Sequence, residues 1–152
     1  KPFGEMTVVE NAMVGAFLHE PKPAAARALA TKVLGQVGLA GREEQIANTL
    51  TLSGRKRLEV AKALATRPKL LMLDEVMAGL TTVETSEMVD LVLRLRDTGI
   101  SILVIEHNMK AIMNMSDRVV VVQYGKKIAD GAPAQVANDP QVVSAYLGGE
   151  AA

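Results

Sequence analysis

The feature that most constrains the fold is a strand, helix, strand pattern between residues 69 and 106. The run KLLMLD is short and continuously apolar, which is typical of a strand inside a parallel sheet. A helix follows, with apolar residues at helical spacing from Met88 to Leu95, and it stops at Gly99 before the second apolar run, ISILVIE. Because such a crossover joins parallel strands, the sequence predicts an α/β fold with two buried parallel strands.

The segments before this unit have helical patterns. MTVVENAMVGAFLHE carries Thr7 and Glu10 at the spacing of a capping box, and the alanine-rich run after Pro23 favours a second helix. The run RKRLEVAKALATRP is apolar around most of its circumference, so we expect a largely buried third helix that ends before Pro68. The first third of the chain is therefore predicted to be helical.

The segments after this unit combine short helices with a hairpin. NMKAIMNMS predicts a short helix, the two β-rich runs around Tyr124-Gly125 predict a hairpin at a sheet edge, and the tail predicts two short helices separated by Asp139-Pro140. We divide the chain into a helical subdomain, part of an α/β core, and a C-terminal helical extension. Their predicted ranges are 1–53, 54–131 and 132–152.

Composition excludes several classes of function. Lys and Arg total 17, as do Asp and Glu, so no charge excess indicates a nucleic-acid partner. The absence of cysteine excludes disulfides and thiolate metal sites. No apolar run approaches the roughly 20 residues of a membrane span, and no signal peptide opens the chain, so we expect a cytoplasmic protein. The opening KPFGEM lacks an initiator methionine, from which we expect further residues upstream.

Polar side chains stand at the end of both predicted strands. Asp74 and Glu75 end the first strand, while Glu106 and His107 end the second, so we expect all four at one edge of the sheet. Such a group suits either direct binding of a metal ion or a metal-bound phosphate, with Asp74 holding Mg²⁺ through water and Glu75 polarising an attacking water. The alternative is that Asp74 caps the following turn, Glu75 faces solvent and His107 is structural. His19, which has no acidic or histidine neighbour in sequence, is expected at the surface.

These motifs carry a family resemblance. The run from Arg55 to Leu80 followed by ILVIEHNM resembles the nucleotide-binding subunits of ABC transporters, which implies a P-loop NTPase-like fold and hydrolysis of ATP with Mg²⁺. The resemblance makes Asp74 the residue that organises Mg²⁺, Glu75 the catalytic base and His107 the sensor of the γ-phosphate. It also makes Ala78-Gly79-Leu80-Thr81 the D-loop, which contacts an opposing subunit.

Within that family the chain most resembles the ATPases of branched-chain amino-acid importers. The similar stretches are PFGEMTVVENAMVG, Val76-Met77 where most of the family has Pro-Thr, and the ending ADGAPAQVANDPQVVSAYLGGE. The resemblance implies transmembrane permease subunits and a second ATP-binding subunit in a head-to-tail dimer as partners, with a periplasmic binding protein involved indirectly. It also implies a peripheral position on the inner face of the cell membrane.

The chain departs from the family at its signature loop. The family's Leu-Ser-Gly-Gly-Gln corresponds here, by spacing from Asp74, to LTLSG beginning at Leu50. Thr51 and Ser53 still offer hydroxyls, and Gly54 still permits close backbone approach, so these three residues are candidate ATP contacts. Leu52, however, stands where a glycine is usual and would obstruct nucleotide.

The alternative interpretation of this loop is purely structural. In that case Ser53 is an ordinary helix N-cap, and Arg55 and Lys56 lie on the solvent face of the helix that follows.

The phosphate-binding pattern Gly-x-x-x-x-Gly-Lys-Ser/Thr occurs nowhere in the 152 residues. We therefore predict that the chain is the C-terminal part of a nucleotide-binding domain and is inactive alone. A non-catalytic interaction module derived from such an ATPase is the main alternative. A DNA-maintenance ATPase with the same motif order is disfavoured by the neutral charge and the absence of a coiled-coil insertion.

Overall fold

The structure is a computed structural model that describes residues 1–147. The last five residues of the predicted C-terminal extension lie outside the described residues. Internal contacts divide the chain into two compact units, Lys1–Ile105 and a second that begins at Glu106. The predicted functional boundaries after residues 53 and 131 stay predictions.

The first unit contains the predicted helices and both parallel strands. Its elements are α1 (Val8–Ala16), α2 (Pro23–Gln36), a 3₁₀ turn (Ala47–Thr49), α3 (Leu52–Leu64), β1 (Leu70–Asp74), α4 (Thr82–Asp97) and β2 (Ser101–Ile105). The predicted capping box of α1 is confirmed, because the Thr7 hydroxyl accepts from Glu10 N–H while the Glu10 carboxylate accepts from Thr7 N–H. The order of elements is the one the sequence predicts.

The helices α1, α2 and α3 pack against one another and form a core of small aliphatic side chains. Close packing depends on Gly15, because a Cβ there would overlap the carbonyl oxygen of Lys62 on α3 and would lie 3.1 Å from the Ala65 Cβ. Asn11 is also fully buried, and its amide is satisfied by the Phe3 backbone, accepting from its N–H at 2.7 Å and donating to its carbonyl at 2.9 Å. The segment before α1 is thereby fixed to the helical core.

The strands β1 and β2 are parallel, as predicted, with Leu70 opposite Ser101 and Asp74 opposite Ile105. The predicted apolar stripe of α4, from Met88 to Leu95, is buried. The expectation that both strands are buried is wrong for one face of the sheet. Leu71 and Leu73 are buried, but their neighbours in β1 and alternate residues of β2 are exposed; these are Leu70, Met72, Leu103 and Ile105. Because successive side chains in a strand point to opposite faces, packing on one face leaves the other open to solvent.

The second unit consists of short elements. They are α5 (Met109–Met115), β3 (Val119–Gln123), β4 (Lys126–Gly131), α6 (Pro133–Ala137), and α7 (Pro140–Val142), which continues into a π-helical turn (Val143–Leu147). The predicted hairpin is confirmed: β3 and β4 are antiparallel, and both turn residues have positive φ, 47° at Tyr124 and 74° at Gly125, as a type I′ turn requires. Its expected position at the edge of a larger sheet is wrong, because β3 and β4 form a two-stranded sheet of their own. The two short helices around Asp139-Pro140 are confirmed as well.

The hairpin is closed by a charge cluster on one side. Asp130 accepts from the Arg118 guanidinium at 2.8 Å and from the Lys127 ammonium at 2.9 Å. These two hydrogen bonds, that of Arg118 first, hold the pKa of the Asp130 carboxyl far below its usual range.

No described helix is both long and apolar enough to cross a membrane.

We expect Gly15→Ala to lower the free energy of unfolding by about 1–3 kcal/mol, because the new methyl group forces α1 away from α3. Urea denaturation would measure the change. The matched control is Gly35→Ala on α2, where a Cβ would meet no atom within 4 Å. Alanine favours helix over glycine by up to about 1 kcal/mol, so this variant should be neutral or more stable. An equal loss at both positions would contradict the packing described.

The capping box of α4 makes stability depend on pH. The Thr81 backbone N–H and then its hydroxyl donate to Glu84 and lower the pKa of the Glu84 carboxyl. A lowered pKa in the folded state stabilises above the unfolded value of about 4.3, and this stabilisation is lost as pH falls through the folded value. The thermal midpoint of the wild-type protein should therefore exceed that of Glu84→Gln at neutral pH, and the gap should close in acid. A gap that does not change with pH would refute this.

Candidate functional site

The predicted site lies at the carboxyl end of β1. Asp74 is the last residue of the strand, opposite Ile105 of β2, and its side chain is exposed. Glu75 follows, and its N–H donates to the Ile105 carbonyl at 2.9 Å, which extends the parallel ladder by one bond. Both carboxylates are thus placed where the sheet ends and open to solvent, which is where α/β sheets bind ligands.

The backbone of Glu75 is in the left-handed region, with φ of 45°. A residue with a side chain pays roughly 1–2 kcal/mol for this conformation. Two interactions besides the ladder bond hold it: the Glu75 carbonyl accepts from Ala78 N–H at 3.1 Å and from the Lys56 ammonium at 3.0 Å. Such outliers persist only where the surroundings determine them, and they cluster at functional sites.

The turn after Glu75 is anchored by buried apolar side chains. Val76 and Met77 are buried directly after the two exposed carboxylates, so apolar side chains fix the start of the turn. Gly79 then adopts a φ of 79°, which favours glycine, and Leu80 N–H donates to the Met77 carbonyl at 3.2 Å. Thr81 caps α4 immediately afterwards. The predicted D-loop is therefore a short structured turn between strand and helix.

The predicted signature loop forms the start of α3. Thr51 is the N-cap, and its hydroxyl accepts from Gly54 N–H at 3.1 Å. The alternative interpretation, in which Ser53 is the cap, is wrong: the backbone of Thr51 is extended, whereas Ser53 lies within the first helical turn and is buried. Its second part holds for Arg55, which is exposed, whereas Lys56 is half-buried and reaches the Glu75 carbonyl.

The signature loop and the D-loop touch within the chain. A Cβ on Gly79 would lie 3.0 Å from Cδ2 of Leu52, the residue that replaces a glycine of the family's loop. A Cβ on Gly54 would lie 3.3 Å from the Leu50 side chain, so glycine at this position allows Leu50 to pack closely against the helix backbone. Leu52 and Lys56, which the sequence interpretation did not place among the site residues, are the side chains that connect α3 to the end of β1.

Glu106 and His107 are the first two residues of the second unit. They directly precede Asn108, whose side chain caps α5 by accepting from Ala111 N–H at 3.0 Å. The His107 side chain is exposed. Its expected convergence with Asp74 and Glu75 stays a prediction. His19 is exposed as expected, and its Nε2 lies 2.7 Å from the Thr66 carbonyl oxygen.

The donor set suits a nucleotide-bound metal better than a metal held by protein alone. Within residues 1–147, no three His, Cys, Asp or Glu side chains are grouped so that they could hold a metal ion. Mg²⁺ usually takes one or two carboxylates together with phosphates and waters, so a single exposed carboxylate such as Asp74 fits that mode.

Comparison with known proteins identifies the family. Residues 1–78, just over half of the chain, match the family described as ABC transporter. The chain belongs to the ABC transporter ATP-binding family. Residues 126–152 of the chain match a second family, described as branched-chain amino acid ATP-binding cassette transporter. The predicted family and P-loop NTPase-like fold are thereby confirmed.

Individual relatives agree. The chain is 41% identical to the high-affinity branched-chain amino acid transport ATP-binding protein LivG of Escherichia coli and 38% identical to BraF of Pseudomonas aeruginosa. Each comparison covers 96% of this chain and 64% of the relative. A crystal structure of an ATP-binding cassette of an ABC transporter in its ADP conformation aligns with a TM-score of 0.82 at 30% identity, over 95% of this chain and 64% of that one.

The contact between Leu52 and Gly79 is testable by stability. We expect Gly79→Ala to destabilise the protein by more than Gly99→Ala, because both positions have positive φ but a Cβ at Gly99 would meet no atom within 4 Å. Chemical denaturation of the two variants would give the difference. In a Leu52→Ala background the excess cost at Gly79 should shrink, and an unchanged excess would contradict the contact.

Proposed function

We propose that this chain is part of the ATP-hydrolysing subunit of an importer of branched-chain amino acids. The observation that carries the proposal is the pair Asp74 and Glu75 at the end of a parallel strand, with Glu75 held in a left-handed conformation by three hydrogen bonds of its backbone. The substrate class is supported by the transport of branched-chain amino acids for which LivG and BraF are named and by the family match over residues 126–152.

In the proposed reaction Glu75 acts on the attacking water. The water oxygen forms a bond to the γ-phosphorus, the bond to the leaving oxygen of ADP breaks, and the water proton passes to the Glu75 carboxylate. Asp74 would hold Mg²⁺ through water, and the bound ion would supply neutralisation of charge on the phosphate oxygens. His107 would contact the γ-phosphate and sense its presence, and the exposed position of the side chain leaves it accessible to the nucleotide.

The signature loop would serve a second ATP-binding subunit in a head-to-tail dimer. Thr51, Ser53 and Gly54 lie at the N-terminus of α3, a helix of 13 residues, whose dipole favours phosphate, although the Gly54 N–H already donates to the Thr51 hydroxyl. Gly79 and Leu80 would contact the same partner from the D-loop. The 3.0 Å approach of a Cβ at Gly79 to Leu52 puts the two loops side by side on one surface, which supports a shared partner.

The permease is the second partner we propose, with a periplasmic binding protein involved indirectly. Apolar surface is exposed within the first 18 residues, and we propose that a permease helix binds there. The exposed side chains are Phe3, Val14, Phe17 and Leu18. The complete protein would then lie on the cytoplasmic face of the membrane, as a peripheral subunit.

ATP phosphates would be held by residues outside this chain. The chain spans 64% of the length of LivG and BraF and contains no Gly-x-x-x-x-Gly-Lys-Ser/Thr pattern. We therefore propose that it acts within a longer subunit and has no ATPase activity by itself.

In the complete subunit we expect Glu75→Gln to abolish ATP hydrolysis while ATP binding is retained, because the amide cannot accept the proton but has the same shape. Phosphate release and nucleotide-binding assays would measure the two properties separately. Glu44→Gln, an exposed glutamate in the loop after α2, is the matched control and should hydrolyse ATP normally. Wild-type turnover by Glu75→Gln would overturn the role given to Glu75.

A non-catalytic interaction module is the second candidate, and the observation that favours it is Leu52 in a glycine position of the signature loop. The same assays separate the two functions. A complete wild-type subunit, assembled with its partners, that binds ATP but releases no phosphate would favour the module.

A further inference from the structure

We propose that Lys56 is the positioning residue that holds Glu75 in its working conformation. This inference rests on the proposed function, in which Glu75 is the base. Its basis is the hydrogen bond of 3.0 Å from the Lys56 ammonium to the Glu75 backbone carbonyl, which joins the second turn of α3 to the end of β1.

The bond acts on the backbone that orients the carboxylate. With φ of 45°, Glu75 directs its Cα–Cβ bond differently from a residue that continues the strand. The Glu75 N–H is fixed by the Ile105 carbonyl of β2, and its carbonyl accepts from Ala78 in the turn and from Lys56. A backbone carbonyl has two lone pairs, so both donors can be accommodated at once. Lys56 is the one side chain among these three partners, the other two being backbone groups.

A lysine suits this task for two reasons. Its long stem reaches from α3 to the loop, and its ammonium makes a charge-assisted bond that is stronger than a neutral one. The same helix begins with the predicted signature loop and touches the D-loop through Leu52. Lys56 therefore ties the orientation of Glu75 to the position of the helix that would meet the second subunit.

The test separates positioning from folding. In the complete subunit, Lys56→Met keeps the stem but removes the donor, and we expect kcat for ATP hydrolysis to fall on the order of tenfold to a hundredfold, as misplacement of a reacting group does. The KM for ATP and the thermal midpoint should stay close to wild type. Lys56→Arg keeps a donor and should recover most of kcat. Lys32→Met removes an exposed lysine of α2 and should hydrolyse ATP like wild type.

Two results would overturn the proposal. One is wild-type kcat in Lys56→Met; the other is a fall in kcat matched by a raised KM and a lowered thermal midpoint that arginine does not correct, since that pattern indicates a merely structural lysine. Failure of the proposed function gives a different result, because Glu75→Gln would then hydrolyse ATP normally. If Glu75→Gln is inactive and Lys56→Met is normal, only the role of Lys56 is lost.

Discussion

The parallel pairing of β1 with β2 is the interaction on which the site depends. It brings Asp74 opposite Ile105, and the next ladder bond, from Glu75 N–H to the Ile105 carbonyl, carries the register one residue beyond the strand. That bond fixes the Glu75 N–H, while Ala78 and Lys56 hold the Glu75 carbonyl. The pairing in turn needs α4, whose buried apolar stripe covers one face of the sheet and whose capped start at Thr81 ends the D-loop.

The helical core supplies the second constraint. α3 packs against α1 so closely that only glycine fits at position 15, and its Arg57 donates to Glu87 on α4 at 2.8 Å and to the Val37 carbonyl at 3.0 Å. With α3 held on both sides, Leu52 and Lys56 reach the loop after β1 from a fixed platform. The helices therefore do more than fill the amino-terminal part of the chain: they determine where the signature loop stands relative to the carboxylates.

Most of the fold was predictable because its signals are local. Each signal lies within a short segment of sequence. These signals are the helical spacing of apolar residues, two capping boxes, a positive-φ turn and two apolar runs. The exposed sheet face was not predictable from the same runs. Leu70 and Met72 are residue types typical of a buried strand, and they are exposed because no element among residues 1–147 covers them. The contribution of Lys56 was equally hidden, because a lysine in the second turn of a helix ordinarily faces solvent, and its partner is a backbone carbonyl that no motif records.

The left-handed backbone of Glu75 determines the direction in which its carboxylate leaves the end of β1. Tyr124 has a similar φ of 47° in a hairpin turn, so a positive φ alone does not identify a site. At Glu75 the backbone is in addition held by three hydrogen bonds, to Ile105 of β2, Ala78 of the turn and Lys56 of α3. A conformation maintained in this way is one whose side-chain direction matters, and the side chain so directed is the carboxylate proposed to take the proton from water.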